Sequence, residues 1–246
     1  MNEKKEMIFG IRAVTEAILS GTEIDTILLK KDMQSEVADD LLAAIRRYHV
    51  TVKRVPVERI NRLTRKNHQG VVAFVSQISY TNLGTLVQTL FEEGKNPFVV
   101  VLDGITDVRN FGAIARTCEC AGVDCVVIPK HGSVTVNSDA VKTSAGALLT
   151  LPVCKESNIE ATIEYLRNSG FHIVAATERG DKEYTEADYL MPTCLVMGAE
   201  DRGIPAGHLA LCDERVRIPQ RGTVSSLNVS VAAGVLIYEV LRQRNS

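Results

Sequence analysis

The stretch that most limits what this chain can fold into is Phe98-Val99-Val100-Val101-Leu102. A strand with one wet face alternates polar and apolar side chains, so an unbroken apolar run reads as a strand covered on both faces. Such strands belong to parallel sheets, in which each strand reaches the next through a crossover, usually a helix. The chain after Pro97 supplies the other parts. Asp124–Ile128, His172–Ala176, Cys194–Met197 and Arg215–Ile218 read as further strands. Helices are expected from about Phe111 to Ala121, Ser138 to Leu149, Ile159 to Asn168 and Leu227 to Arg242. The expectation for residues 97–246 is an α/β domain, a parallel sheet with helices on both faces.

Residues 1–75 follow a different pattern. Ile11, Val14, Ile18 and Leu19 recur at helical spacing after a short strand or turn. Thr26–Leu29, Val50–Val55 and Val71–Val75 read as strands, and Val37–Tyr48 and Val57–Leu63 as helices. This is a small α/β unit. Residues 76–96 read as a linker with one amphipathic segment, Leu83–Phe91, and a break at Lys95-Asn96-Pro97.

Composition narrows the function classes. A formal net charge of −2 is not that of a protein that binds nucleic acid with its whole surface. The charge is uneven, however. Arg46, Arg47, Lys53, Arg54, Arg59, Arg62, Arg65 and Lys66 face Glu58 alone between Arg46 and His68. Such a run is either a solvated basic face or an RNA-facing patch. The cysteines at 118, 120, 125, 154, 194 and 212 form no CxxC pair. Zinc spacing is absent, so no metal is expected, and the scatter fits reduced thiols in a cytoplasmic protein. Met1–Glu6 is polar with no apolar run after it, and no stretch reaches ~20 apolar residues, so neither a signal peptide nor a membrane span is expected. The histidines at 49, 68, 131, 172 and 208 are dispersed and suggest no Ser/His/Asp arrangement; His68, at the entry of a strand, reads as structural or as a surface residue.

Three strand-to-helix loops carry the chemistry. The first, Asp103–Gly112, lacks GxGxxG, which disfavours a nucleotide-dependent enzyme on an ordinary dinucleotide-binding sheet. In it Asn110 stands before the expected helix as a candidate N-cap, and Arg116 lies further along, where alone it is a surface charge. Together the two could hold a sugar hydroxyl and a phosphate. The second loop, Gly198–Pro205, puts Glu200 at a strand end facing the crevice. The third leaves its strand at Ile218-Pro219 and reaches a helix start at Ser225-Ser226-Leu227-Asn228, where Ser225 or Ser226 could cap free backbone N–H groups. Loops at one edge of a parallel sheet make a ligand crevice.

Asn110–Arg116, Gly198–Gly203 and Ile218-Pro219 with Ser226–Ser230, in that order, resemble the SpoU family of RNA ribose 2′-O-methyltransferases in the SPOUT superfamily. The resemblance runs from about Pro97 to Leu241. Phe9–Val14 and His68–Val71 are similar to the L30e-like RNA-binding domain of the members that act on guanosine in 23S rRNA. Members commonly have His where Arg12 stands and Pro where Val108 stands. The resemblance implies a deep trefoil knot in the C-terminal domain, S-adenosyl-L-methionine as cofactor, and a homodimer built through that domain. It implies that Gly198, Ile218 and Leu227, with Thr177, bind the cofactor. Arg116 would bind the target phosphate and help deprotonate the ribose hydroxyl, and Asn110, Glu200, Ser226 and Asn228 would orient the reacting groups. Arg12, Arg62, Arg65 and Lys66 are the expected RNA contacts of the front unit, and neither DNA nor a membrane is an expected partner. The alternatives are 2′-O-methylation of tRNA or of another rRNA site, and an RNA-binding protein without catalysis.

Overall fold

The computed structural model describes residues 7–33, 35–224 and 226–246. They form two compact units. One holds the residues up to Ser79 together with Thr135–Ser138; the other holds Tyr80–Val134 and Asp139–Ser246.

The first unit runs β1 (Met7–Phe9), α1 (Ile11–Leu19), β2 (Ile24–Lys30), α2 (Ser35–Arg47), β3 (Val52–Val55), α3 (Val57–Asn61) and β4 (Val71–Val75). Its sheet has the order β1-β4-β2-β3, with β4 antiparallel to both neighbours and β3 parallel to β2. Alternation along the strands divides the core in two. Ile27, Leu29, Val71 and Ala73 pack with Val14 and Ile18 of α1 and Leu41 of α2. Leu28 and Val72 face the other way and meet Ile60 of α3.

In the second unit the helices are α4 (Leu83–Glu92), α5 (Val108–Cys120), α6 (Ser138–Thr143), α7 (Ile159–Asn168), α8 (Ala206–Leu211) and α9 (Val229–Arg244). The strands are β5 (Phe98–Asp103), β6 (Cys125–Pro129), β7 (Val153–Glu156), β8 (His172–Ala176), β9 (Lys182–Glu183), β10 (Thr193–Gly198) and β11 (Glu214–Arg217). All the pairings are parallel, in the order β7-β6-β5-β10-β8-β11-β9. The apolar run is β5, buried along its whole length near the middle of the sheet. Val99 and Val101 lie under Leu83 and Val87 of α4 and Ile163 and Leu166 of α7. The alternate residues Val100 and Leu102 are left to the opposite face, where α5 and α9 pack on one another.

Several expectations shift. Residues 76–96 divide at Ser79 and do not stand apart as a linker: Thr81 bridges to Cys154, and α4 buries Leu83 and Val87 in the second core. The helix expected over 138–149 stops at Thr143, because Ala145 (φ 52°) and Gly146 (φ 90°) turn left-handed before a 3-10 turn at Ala147–Leu149. Strands β7 and β9 were not expected. The first is a short edge strand that is half polar, and the second is two residues long, so neither carries a readable period. At the far end of α9, Arg244 donates to the carbonyls of Asn96 (2.7 Å), Tyr189 (3.0 Å) and Met191 (2.9 Å), tying the last turn to the starts of β5 and β10.

Candidate active site

The loops after β5, β8, β10 and β11 leave the same edge of the parallel sheet, where the strand order reverses relative to the sequence. That is where open α/β sheets bind ligands. A cavity of about 600 Å³ lies there, within the ~300–1,000 Å³ usual for small-molecule sites. Its walls include Thr177, Gly198, Glu200, Ile218, Ser226, Leu227 and Asn228, all candidates from the sequence. Apolar Leu209, Val216 and Leu236 line it as well.

Local chemistry explains the shape. After β10 the chain folds back on itself: Gly203 N–H donates to Ala199 O at 2.8 Å. A Cβ on Gly198 would collide with the backbone of Gly203 and Ile204, so the turn needs glycine there. Thr177 continues from β8, its N–H donating to Val216 O at 2.9 Å, and so brings the β8 and β11 exits together.

At the rim, one side chain from each loop meets the other two. Asn110 Nδ2 donates to Glu200 Oε1 at 2.9 Å. Asn228 Nδ2 lies 3.1 Å from both Asn110 Oδ1 and Glu200 Oε1. The amide orientations are mutually determined. Asn228 Oδ1 accepts from Ser230 N–H at 2.9 Å, so its Nδ2 must face the other two residues. The carboxylate thereby takes two donors on one oxygen.

Both helix starts differ from expectation, and the difference frees the site residues. Helix α5 begins at Val108, not Phe111, and its cap is Asp107, whose carboxylate accepts from Arg109 N–H (2.8 Å) and Asn110 N–H (2.9 Å). Asn110 is therefore not a cap. It sits in the first turn with its amide available to Glu200. At the last helix the cap is Asn228 and not a serine; Ser226 lies ahead of it on the cavity wall, and Ser225 falls outside the described residues. An Asp followed by a helical period is a sequence cue for Asp107.

Arg116 does not line the cavity. It is exposed on α5, six residues and about 9 Å of helix rise beyond Asn110. Glu178, Arg179 and Arg202 line the cavity without having been singled out; the first two directly follow Thr177, and nothing in their spacing marks them. Asp103 and His208, also overlooked, are joined at 2.6 Å with little exposure, linking the end of β5 to α8. Burial pushes the thiols of Cys118 and Cys194 up, and that of Cys212 up to about 11, so none of the three is a thiolate nucleophile at neutral pH. Among the described residues no group of His, Cys, Asp and Glu could hold a metal ion, and no helix is long and apolar enough to cross a membrane.

In the first unit, the segment after α3 carries Arg62, Arg65 and Lys66 and returns to the start of α1. Gln69 Oε1 accepts from Ile11 N–H at 3.0 Å, and Lys66 Nζ lies 5.8 Å from the centre of the Phe9 ring. His68 is structural: Nδ1 accepts from Gly70 N–H at 3.0 Å, which leaves Nε2 to donate to Asn61 Oδ1 at 2.8 Å. Arg12 is exposed and pairs with Glu16 at 3.0 Å.

Comparison with known proteins agrees with this geometry. Residues 97–238 match the SpoU rRNA methylase family, and residues 7–81 match the substrate-binding domain of RNA 2′-O ribose methyltransferases. A protein of Staphylococcus saprophyticus, assigned by name to the TrmH family of tRNA/rRNA methyltransferases, is 36% identical over 239 residues, 97% of this chain and 96% of its own. The SpoU methyltransferase AviRb of Streptomyces viridochromogenes, crystallised with S-adenosylmethionine, superposes with a TM-score of 0.61 at 26% identity, covering 97% of this chain and 90% of its own. A cofactor-bound rRNA methyltransferase of Sinorhizobium meliloti gives 0.60 at 28% identity, covering 96% and 86%. With both units matched and the three loops joined through Asn110, Glu200 and Asn228, the chain belongs to the SpoU family of RNA methyltransferases, whose methyl donor is S-adenosylmethionine.

Proposed function

We propose that this enzyme methylates the ribose 2′-hydroxyl of a guanosine in 23S rRNA. The observation that carries the chemistry is the Asn110–Glu200–Asn228 cluster at the rim of the cavity. Thr177, Gly198, Ile218 and Leu227 would hold S-adenosylmethionine, which supplies a methyl already activated on a sulfonium. The cavity fits such a group: it is large enough and lined by a mixture of apolar residues, among them Ile218, Leu227 and Leu236, and polar ones from the β8 and β10 exits. The task left to the protein is to present the hydroxyl and let its proton leave. Arg116, exposed and outside the cavity, takes the phosphate beside the target ribose. A guanidinium stays protonated, so its role is positioning, and a substrate phosphate oxygen receives the proton. Asn110, Glu200, Ser226 and Asn228 align the hydroxyl; such alignment contributes several kcal/mol, on the order of 7–11 in the best intramolecular cases.

The trefoil knot belongs to this proposal. It is supported by the course of α9, which starts at the cavity and ends pinned by Arg244 to the starts of β5 and β10. A homodimer does too. Leu227, Val231 and Tyr238 remain exposed while Leu236, Ile237 and Val240 are buried in their own chain, so a second apolar stripe starts at the cavity wall. Arg12, Arg62, Arg65 and Lys66 would carry RNA on the first unit, and work on ribosomal RNA belongs to the cytoplasm. The 23S assignment rests on the likeness of the front unit, and a tRNA target is the competing outcome.

The test of the chemistry is Arg116→Ala. Methyl transfer to RNA should be lost while calorimetry gives an unchanged affinity for S-adenosylmethionine. Arg116→Lys should fail as well, because a point charge does not replace the guanidinium fork. Near-normal turnover in either variant refutes the assignment. Mapping 2′-O-methyl groups in rRNA and tRNA from a deletion strain decides the substrate: a missing tRNA mark with intact 23S rRNA overturns the rRNA assignment.

A further inference from the structure

The tight turn after β10 places Arg202 at the cavity rim, two residues beyond Glu200, with its side chain laid over the first loop. A Cβ on Gly104 would lie 2.8 Å from Arg202 Nη2 and 3.7 Å from Cζ. Gly104 has φ 87°, so glycine serves here both for the backbone and for the space the guanidinium occupies. Among the described residues, no hydrogen bond or ion pair engages that guanidinium. A long side chain held against backbone gives up rotamer freedom, yet here its donors gain no acceptor. Arg109 and Arg116 are likewise exposed on α5 without an acidic partner, and the nearby Asp107 carboxylate is occupied by backbone N–H groups. Exposed guanidinium groups that lack anions thus stand on both elements that meet at the Asn110–Glu200–Asn228 cluster, Arg202 at the cavity rim and Arg109 and Arg116 on α5.

We propose that Arg202 grips a phosphate of the RNA at this rim, on the opposite flank of the target ribose from the phosphate assigned to Arg116. A ribose within a strand carries a phosphate on each side, and two fixed guanidinium groups would hold it in register with the cluster. The planar fork suits bidentate binding of phosphate oxygens. RNA is the occupant, not the carboxylate of the cofactor, because the side chain is exposed and lies over the loop that leads into α5, the helix of Asn110 and Arg116. The proposal rests on the RNA-methyltransferase function above.

The experiment compares wild type, Arg202→Ala and Arg202→Lys on an unmodified 23S rRNA transcript. In filter binding between about 50 and 200 mM salt, removing the cation that neutralises one phosphate lowers the slope of log K against log salt by about 0.7–0.9. Arg202→Ala should show that drop and raise KM for RNA about tenfold, with kcat reduced far less. Arg202→Lys should recover the salt slope, since the charge remains, but only part of KM. Affinity for S-adenosylmethionine by calorimetry should stay within about twofold of wild type. An unchanged slope and KM in Arg202→Ala overturns the proposal. Weakened cofactor binding with RNA affinity intact overturns it too, and assigns the guanidinium to the cofactor. A wild-type protein that methylates no RNA sinks the underlying function instead, which separates the two failures.

Discussion

Asn228 joins the third loop to the second: its Nδ2 lies 3.1 Å from Glu200 Oε1, 28 residues away, while its Oδ1 accepts from the Ser230 N–H and starts α9. One side chain therefore serves both the helix and the site, and the two roles separate by substitution. Asn228→Ala loses both. Removing the cap costs about 1 kcal/mol, a fall in Tm of roughly 2–4 °C for a domain of this size. Asn228→Ser keeps a capping oxygen but cannot span to Glu200. It should melt near wild type while kcat falls on the order of a hundredfold, the cost of a misplaced reacting group. Full activity in the serine variant would show that the bridge to Glu200 has no part in catalysis.

A second tie crosses the same edge of the sheet. His208 Nδ1 and Asp103 Oδ2 are 2.6 Å apart and both side chains are largely buried. His208→Leu strands the carboxylate without its partner, at a cost of about 2–4 kcal/mol, the lower part of the range for broken buried pairs because some solvent still reaches the site. Asp103→Asn keeps an acceptor for the ring N–H and should cost less than half as much. Thermal or urea unfolding of the two variants checks the order; equal losses would mean that packing, and not the hydrogen bond, sets the cost.

The dimer interface is expected on one stripe of α9. Val231 is 52% and Tyr238 51% exposed on that helix, and Leu227 beside them is 39% exposed on the cavity wall. Light scattering should give about twice 26.9 kDa at micromolar concentration. Val231→Asp or Tyr238→Asp should shift the protein towards the monomer and reduce methyl transfer with it. A monomeric wild type with full activity would contradict the proposal.

The front unit should make its contribution through charge. Replacing Arg62, Arg65 and Lys66 with alanine should weaken RNA binding and flatten its salt dependence by about 2 in slope, near 0.7 for each phosphate no longer neutralised. Cofactor affinity should not change. Equal salt slopes would identify the 62–66 segment as a solvated face only.

The sequence by itself determined what depends on local periodicity. Unbroken apolar runs at 98–102 and 173–176 can be buried only between two layers, so a parallel sheet with helices on both faces was legible. The short strands of the front unit were legible from their apolar and β-branched runs, and the resemblance carried by three ordered motifs implied the grouping of Asn110, Glu200 and Asn228. Tertiary structure decided what depends on distant partners. Asn110 looked like a cap because it stands near a helix start; Asp107, which the sequence also cues, takes that role, and only the folded chain sends Asn110 to a carboxylate 90 residues away. The pairing of Asp103 with His208 spans 105 residues, and the guanidinium of Arg202 rests on Gly104 from another loop. Neither has a local signature, because such contacts exist only once parallel strands bring their exits to one edge. Strands β7 and β9 were hidden for a related reason: short edge strands take their conformation from the neighbour they pair with, and their own side chains carry too little pattern to announce it.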